Sequence, residues 1–197
     1  MVMHTRGPFI ALLFAVALQR VLELRESRRH ERALLAAGAR EHAPGHFVWM
    51  RALHASWLVA TGVEVLVFSR PFIPALAAPA ACAFVAGQAL RHAARRALGP
   101  RWTARIVTLP GAPPVTRGIY RYVRHPNYAG VVLELAALPL IHGAFVSAAF
   151  FSAANALLLL VRIRHEERAL AVDSGGSTEL HLRPRFLPRV GGASVRP

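Results

Sequence analysis

The chain has 197 residues, is 54% hydrophobic and carries a formal charge of +14 at pH 7. A soluble basic protein gathers charge at the expense of apolar content. This chain is rich in both, which argues for a membrane protein whose basic loops lie at anionic headgroups. No zinc spacing, helix-turn-helix pattern or aromatic RNA-binding signature accompanies the charge, so a nucleic acid is not the expected partner.

The first apolar segment covers residues 8–22. Arg6 and Ala15-Val16-Ala17 imitate a signal peptide, but the apolar run before that site is too short, and a retained helix is expected. "RESRRHERALLAAG" follows, with opposite charges three or four residues apart and a stop at Gly38; it predicts an amphipathic helix at the interface. Segments 47–68 and 72–90 each meet the roughly 20 helical residues that span a bilayer. "RHAARRALGP" carries the third helix out of the membrane and ends it at Gly99-Pro100. "VTLPGAPPVTRG" is rich in turn formers and predicts a folded loop. The fourth segment, 129–141, is too short to span alone. With the fifth, 144–161, it predicts a helical hairpin turning at His142-Gly143. The lone Cys82 lies in an apolar run and reads as a small hydrophobe.

These elements predict an all-α integral membrane protein of about five transmembrane helices. Residues 1–170 form one embedded domain; residues 171–197 form a tail that begins as a linker and whose "RPRFLPR" docks at the membrane surface. Arginine is the only basic residue besides His, and it concentrates in 25–46, 91–128 and 162–197. The positive-inside rule then places all three regions, and the polar chemistry they hold, on the cytoplasmic face.

Two clusters could carry chemistry. The stretch "YRYVRHPNYAG" contributes Tyr120, Arg124, His125, Asn127 and Tyr128 at the doorstep of the fourth helix, with Pro126 at its first position. "NALLLLVRIRHEERAL" contributes Asn155, Arg162, Glu166 and Glu167. Hairpin geometry brings the start of the fourth helix to the end of the fifth, so the clusters should meet. Glu64 and Glu134 sit deep in apolar runs, where an ionisable group suggests function. The plainer reading pairs Glu134 with Arg162 and Glu64 with His54. Rossmann, phosphate-loop and nucleophile-elbow motifs are absent, and His42, His46 and His54 are too scattered to predict a metal site.

"GIYRYVRHPNYAGVVLELAALPL" followed by "RIRHEERAL" resembles the signature of the isoprenylcysteine carboxyl methyltransferase family, over residues 105–170. The segment 20–64 resembles a bacterial branch of it, linked to type III polyketide synthases and acting on alkylresorcinol or alkylpyrone lipids. The resemblance implies an inner-membrane enzyme using S-adenosylmethionine. Tyr120, Arg124, His125, Asn127, Tyr128, Glu166 and Glu167 would hold that cofactor. Arg162 would orient the acceptor oxygen. His54, Trp57, Glu64 and Asn155 would lie on the side of a lipophilic acceptor. An acceptor that is already anionic needs no base. A phenol, with a pKa of about 10 by analogy with tyrosine, needs one, and the candidates are Glu134, His54 and Glu64, with Glu134 nearest in the hairpin. Rival readings are a phospholipid N-methyltransferase, a prenylcysteine carboxyl methyltransferase, an NADPH-dependent reductase and a non-catalytic membrane protein.

Overall fold

The computed structural model describes residues 2–173 and 183–186. Five helices account for most of them: α1 (Val2–Ala36), α2 (Pro44–Val67), α3 (Pro74–Leu98), α4 (Pro126–Leu140) and α5 (Phe145–Asp173). The segments expected to be helical are helical, and α2, α3 and α4 each open with proline, whose missing N–H is unpaired at that position in any case. The third helix stops at Gly99, with φ 56°.

One expectation is corrected at the start of the chain. The first apolar segment and the amphipathic stretch after it are a single helix of 35 residues. Leaving the apolar environment changes the solvent around a helix, not its backbone, and no glycine or proline interrupts residues 9–36. Ties along its surface, Arg20 to Glu23 at 2.6 Å and Ser27 to Glu31 at 2.6 Å, continue across the presumed boundary. The helix ends where expected, before Gly38 at φ 89°.

A second departure is a two-stranded antiparallel sheet, β1 (Arg40–His42) with β2 (Ile106–Thr108), pairing Arg40 with Thr108 and His42 with Ile106. Three residues are too few to show a period of two, so only long-range pairing reveals them. The end of α5 joins them: Asp173 accepts from Thr108 Oγ1, and His42 Nε2 lies 3.1 Å from the same carboxylate. The helix therefore runs three residues past the domain boundary drawn at 170.

All five helices supply the main core, with Phe9, Leu13, Val16, Trp57, Val65, Phe84, Leu135, Leu138 and Phe151 among its members. Helices α3 and α4 cross closely at Gly87 and Gly130. A Cβ on Gly130 would stand 2.7 Å from the Gly87 carbonyl oxygen and 2.6 Å from Arg91 Cγ. Small residues let two helix backbones approach where packing, not water, drives association. The turn between α4 and α5 falls at His142-Gly143, as expected, and Gly143 has φ 66° with its missing Cβ 2.7 Å from the Pro71 carbonyl oxygen.

By length and composition α1, from Thr5 onward, and α5 can cross a membrane. At 24 and 25 residues α2 and α3 have the length, but Arg51, His54 and Glu64 in one, and Gln88 and Arg91 in the other, dilute their apolar character. Cys82 lies on an exposed face of α3 and not in the core.

Candidate functional site

The start of α4 and the end of α5 meet, as a hairpin requires. His125 is the residue before the first helical position of α4. Its Nε2 lies 3.1 Å from Glu167 Oε1, and its ring stacks on Tyr128 at 5.3 Å with 20° between the planes. Arg124 Nη1 donates to the same Glu167 oxygen at 3.0 Å. Neighbouring residues on a helix point about 100° apart, so Glu166 and Glu167 cannot face one partner. Glu166 accepts from the Tyr128 hydroxyl instead. That hydroxyl accepts in turn from Arg162 Nε at 2.8 Å, and Arg162 Nη2 donates to the Ala104 carbonyl at 2.6 Å. Arg162 and Glu166, four residues apart, thus grip Tyr128 from one face of α5.

Two cavities lie on either side of this hub. The first has the loop 101–115 as one wall and Tyr120, Arg124, His125 and Glu166 as the other; the second lies between α1 and α2 and is lined by Val21, Leu24, Phe47, Met50, Leu58 and Val59. Their enclosed volumes are about 130 and 410 Å³; a cofactor or drug-sized ligand takes a site of roughly 300–1,000 Å³, so the second chamber is of that size and the first holds only part of such a ligand unless the loop 101–115 gives way. Trp102, Thr103, Asn127, Tyr128 and Arg162 line both. They form a shared wall between the more polar chamber, which also has Leu34, Ile106 and Leu170 in its lining, and an almost wholly apolar one, hereafter the polar and the apolar chamber. Burial and the nearby Glu166 carboxylate push the Tyr120 phenol above its ordinary range, so in the polar chamber it remains a neutral hydroxyl.

Of the residues expected at a cofactor, Tyr120, Arg124, His125, Asn127, Tyr128 and Glu166 line the polar chamber. Glu167 does not; it binds Arg124, His125 and Arg185 behind it. Of those expected on the acceptor side, His54 lines the apolar chamber. Trp57 is fully buried behind it, edge-on to its ring at 6.5 Å. Asn155 is buried on α5 and lines neither chamber.

Both suggested carboxylate pairings are corrected. Glu134 bonds Arg20 at 2.5 Å and Arg91 at 2.7 Å, not Arg162. Glu23 bonds the same two arginines and Arg95, which also holds Glu26. Three cations and three carboxylates thus tie α1, α3 and α4 together. Glu64 bonds Arg70 at 2.9 Å, not His54, and accepts the backbone N–H groups of Val146 at 3.1 Å and Ser147 at 2.7 Å. It caps the start of α5, at the far end of the hairpin from Arg162. The helix N-terminus with its unpaired N–H groups attracts a carboxylate more strongly than a histidine elsewhere on the same helix.

Sequence reasoning missed three contributors. Trp102 and Thr103 carry no motif. Arg20, Glu23 and Arg91 had a signal: three charges inside or beside apolar runs, in positions that cost too much to leave unpaired. The third is the tail. The described part of "RPRFLPR", residues 183–186, docks on the site itself. Arg124 and His125 donate their backbone N–H groups to the carbonyls of Pro184 at 3.0 Å and Arg185 at 2.9 Å. Arg185 donates to Glu167 twice, at 3.1 and 2.7 Å, and Arg183 to the Tyr120 carbonyl at 2.7 Å. The expected linker after 173 and the segment from 187 lie outside the described residues.

Comparison with known proteins points the same way. The model of the isoprenylcysteine carboxyl methyltransferase (ICMT) family matches residues 80–172, from α3 to the end of α5. The chain is 34% identical over 163 residues to the uncharacterized protein YpbQ of Bacillus subtilis, covering 82% of this chain and 96% of that one. It is 30% identical over 165 residues to an uncharacterized protein of Haemophilus influenzae, covering 83% and 95%. No solved structure matches. A family model spanning both halves of the hub, with relatives similar along nearly their whole length, identifies the chain as a mostly helical member of the isoprenylcysteine carboxyl methyltransferase family of membrane methyltransferases.

Proposed function

We propose that the chain transfers a methyl group from S-adenosylmethionine to an oxygen, hydroxyl or carboxylate, of a lipophilic acceptor, with an alkylresorcinol or alkylpyrone as the favoured class. One observation carries the reading: a polar and an apolar chamber share a single wall, so two ligands of opposite character can meet at Arg162 and Tyr128.

The residues of the polar chamber fit the cofactor. Its carboxylate needs donors, which Arg124 and Tyr120 offer. Its ammonium and ribose need acceptors, and Glu166 and the buried, unpartnered Oδ1 of Asn127 supply them. Aromatic faces at His125 and Tyr128 suit a sulfonium. When bound, S-adenosylmethionine supplies an electrophilic methyl group. The protein's part is then alignment and exclusion of water. Arg162, held at Nε and Nη2 by Tyr128 and Ala104, is a fixed cation on the wall and orients the acceptor oxygen.

The apolar chamber takes the acceptor's hydrocarbon. Of its lining cations, Arg20 and Arg91 are paired with Glu23 and Glu134, which leaves Arg51 and Arg162. Those two suit an oxygen nucleophile that carries negative charge as it reacts and disfavour the amine of a phospholipid N-methyltransferase. The enzyme would sit in the bacterial inner membrane, its five helices embedded and the polar chamber at the cytoplasmic face, and would work alongside a type III polyketide synthase.

The test uses membranes containing the protein, labelled S-adenosylmethionine, and an alkylresorcinol, an alkylpyrone, a prenylcysteine analogue and phosphatidylethanolamine as acceptors. Label is expected in a hydroxylated polyketide lipid and not in a His125→Ala control. Label in phosphatidylethanolamine alone, or binding of NADPH in place of S-adenosylmethionine, would overturn the reading.

A further inference from the structure

We infer that His54 is the general base of the reaction and that the natural acceptor is therefore a hydroxyl that is un-ionised at neutral pH, a phenol, and not a carboxylate. The inference rests on the proposed methyl transfer and narrows its acceptor.

The hydrogen bonding of the ring leads to it. His54 Nδ1 lies 2.8 Å from the Met50 carbonyl oxygen, one helical turn earlier. A carbonyl can only accept, so Nδ1 carries the hydrogen and the neutral ring keeps its lone pair on Nε2. Trp57, fully buried and edge-on at 81°, braces the ring from behind. His54 is thus a rigid imidazole in the basic tautomer on the wall of the apolar chamber.

Elimination strengthens the assignment. Glu134 lines neither chamber, is 1% exposed, and is committed to Arg20 and Arg91. Glu64 caps α5 at the other end of the hairpin. Glu23 does reach the apolar chamber, but its two oxygens are held by Arg20, Arg91 and Arg95. Among the described lining residues, His54 is the one proton acceptor not engaged by arginine. The charged and titratable groups that face the same chamber are Arg20 and Glu23 on α1, Arg51 on α2, Arg91 on α3, Tyr128 on α4 and Arg162 on α5. Arg20 and Arg162 line the same chamber as the ring, where a cation stabilises an oxyanion that forms.

The step balances without a further reagent. The acceptor's O–H proton passes to His54 Nε2. The oxygen lone pair forms the new bond to the methyl carbon. The carbon–sulfur bond breaks with its electron pair returning to sulfur, so the sulfonium leaves as a neutral thioether. The imidazolium then releases its proton to water. A carboxylate would need no such residue.

The experiment compares wild type with His54→Asn and His54→Gln in membranes, on an alkylresorcinol and on an alkyl-4-hydroxypyrone, across a pH series from neutral to alkaline. Asparagine keeps a donor for the Met50 carbonyl and removes the base, which guards against a folding defect; calorimetric binding of S-adenosylmethionine checks that both variants are intact. Resorcinol methylation near neutral pH is expected to fall about 10²–10⁴-fold. It should recover as pH approaches the phenol pKa of about 10. The acidic hydroxypyrone, already an anion, should react within a few-fold of wild type. Unchanged resorcinol activity in the variants would overturn the inference. So would an equal loss on both acceptors at every pH, which is the mark of a positioning role. Wild-type protein that methylates no oxygen acceptor would instead overturn the underlying reading, a result visible before any variant is made.

Discussion

Glu134→Gln separates structural from catalytic use of the deepest carboxylate. The side chain is 1% exposed and accepts from Arg20 at 2.5 Å and Arg91 at 2.7 Å. With Glu23, Glu26 and Arg95 the group is balanced, three charges of each sign. Glutamine keeps the shape and one acceptor oxygen but leaves a net cation among α1, α3 and α4. Breaking a buried pair in this way costs about 3–5 kcal/mol. At 1.4 kcal/mol per tenfold, that is a factor of roughly 10²–10⁴ in the folded-to-unfolded ratio. The measurement is the fraction of protein that remains monodisperse in detergent after a temperature series, with specific activity determined on the surviving fraction. Thermal resistance should drop sharply while the survivors work within a few-fold of wild type. The reasoning is refuted by the reverse pattern, a variant as heat-resistant as wild type and inactive, because Glu134 would then be part of the chemistry. Replacing Glu134 and Arg91 together by methionine should recover part of the loss, since two apolar side chains leave no stranded charge.

Three further outcomes are expected. Gly130→Ala would drive a methyl to within 2.6 Å of Arg91 Cγ and 2.7 Å of the Gly87 carbonyl; overpacking costs about 1–3 kcal/mol or more, so thermal resistance should fall, and a variant as stable as wild type would show that the α3–α4 crossing is looser than described. Glu64→Ala removes the cap of α5 and the partner of Arg70; a lost cap costs about 0.5–2 kcal/mol, and activity per folded molecule should not change, which steady-state kinetics at saturating acceptor would check. Tyr120 has its folded-state pKa raised by burial and then by Glu166. Its contribution to stability is therefore full below the unfolded value of about 10 and is lost as pH rises through the higher folded value. Alkaline unfolding should start later in Tyr120→Phe than in wild type, and coincident profiles would count against the burial of this phenol.

The hairpin and the wall of the polar chamber that residues 120–128 form were legible in the sequence because both depend on local signals, whereas Trp102 and Thr103 on the other wall were not. Pro126 opens a helix, Gly143 turns one, and Tyr120, Tyr122 and Tyr128 are the chain's only tyrosines, gathered within nine positions. Partner choice was not legible. Glu134 reaches Arg20 across 114 positions and Arg91 across 43, and with 24 arginines nothing local ranks them. Glu64 went to backbone N–H groups, which have no sequence signature at all. The continuity of α1 was hidden because a change from apolar to charged residues looks like a boundary although the backbone has no reason to break. The docking of residues 183–186 uses the carbonyls of Pro184 and Arg185, again invisible to side-chain patterns.

That docking has a consequence for how the protein is made. Arg124 and Arg185 are about sixty residues apart, and ribosomes add about 5–20 residues per second. For roughly 3–12 s after the start of α4 is synthesised, its two backbone donors lack the segment that ties them down, and for about the last 1–4 s of it so does the Glu167 carboxylate. During that interval the hairpin is placed by apolar packing and by the bonds of Glu64, Glu134 and Arg162, without the tail. This buttress of the polar chamber arrives after the helices have been laid down, so a chain cut short between α5 and Arg185 has its helices but lacks the segment that closes over residues 124 and 125.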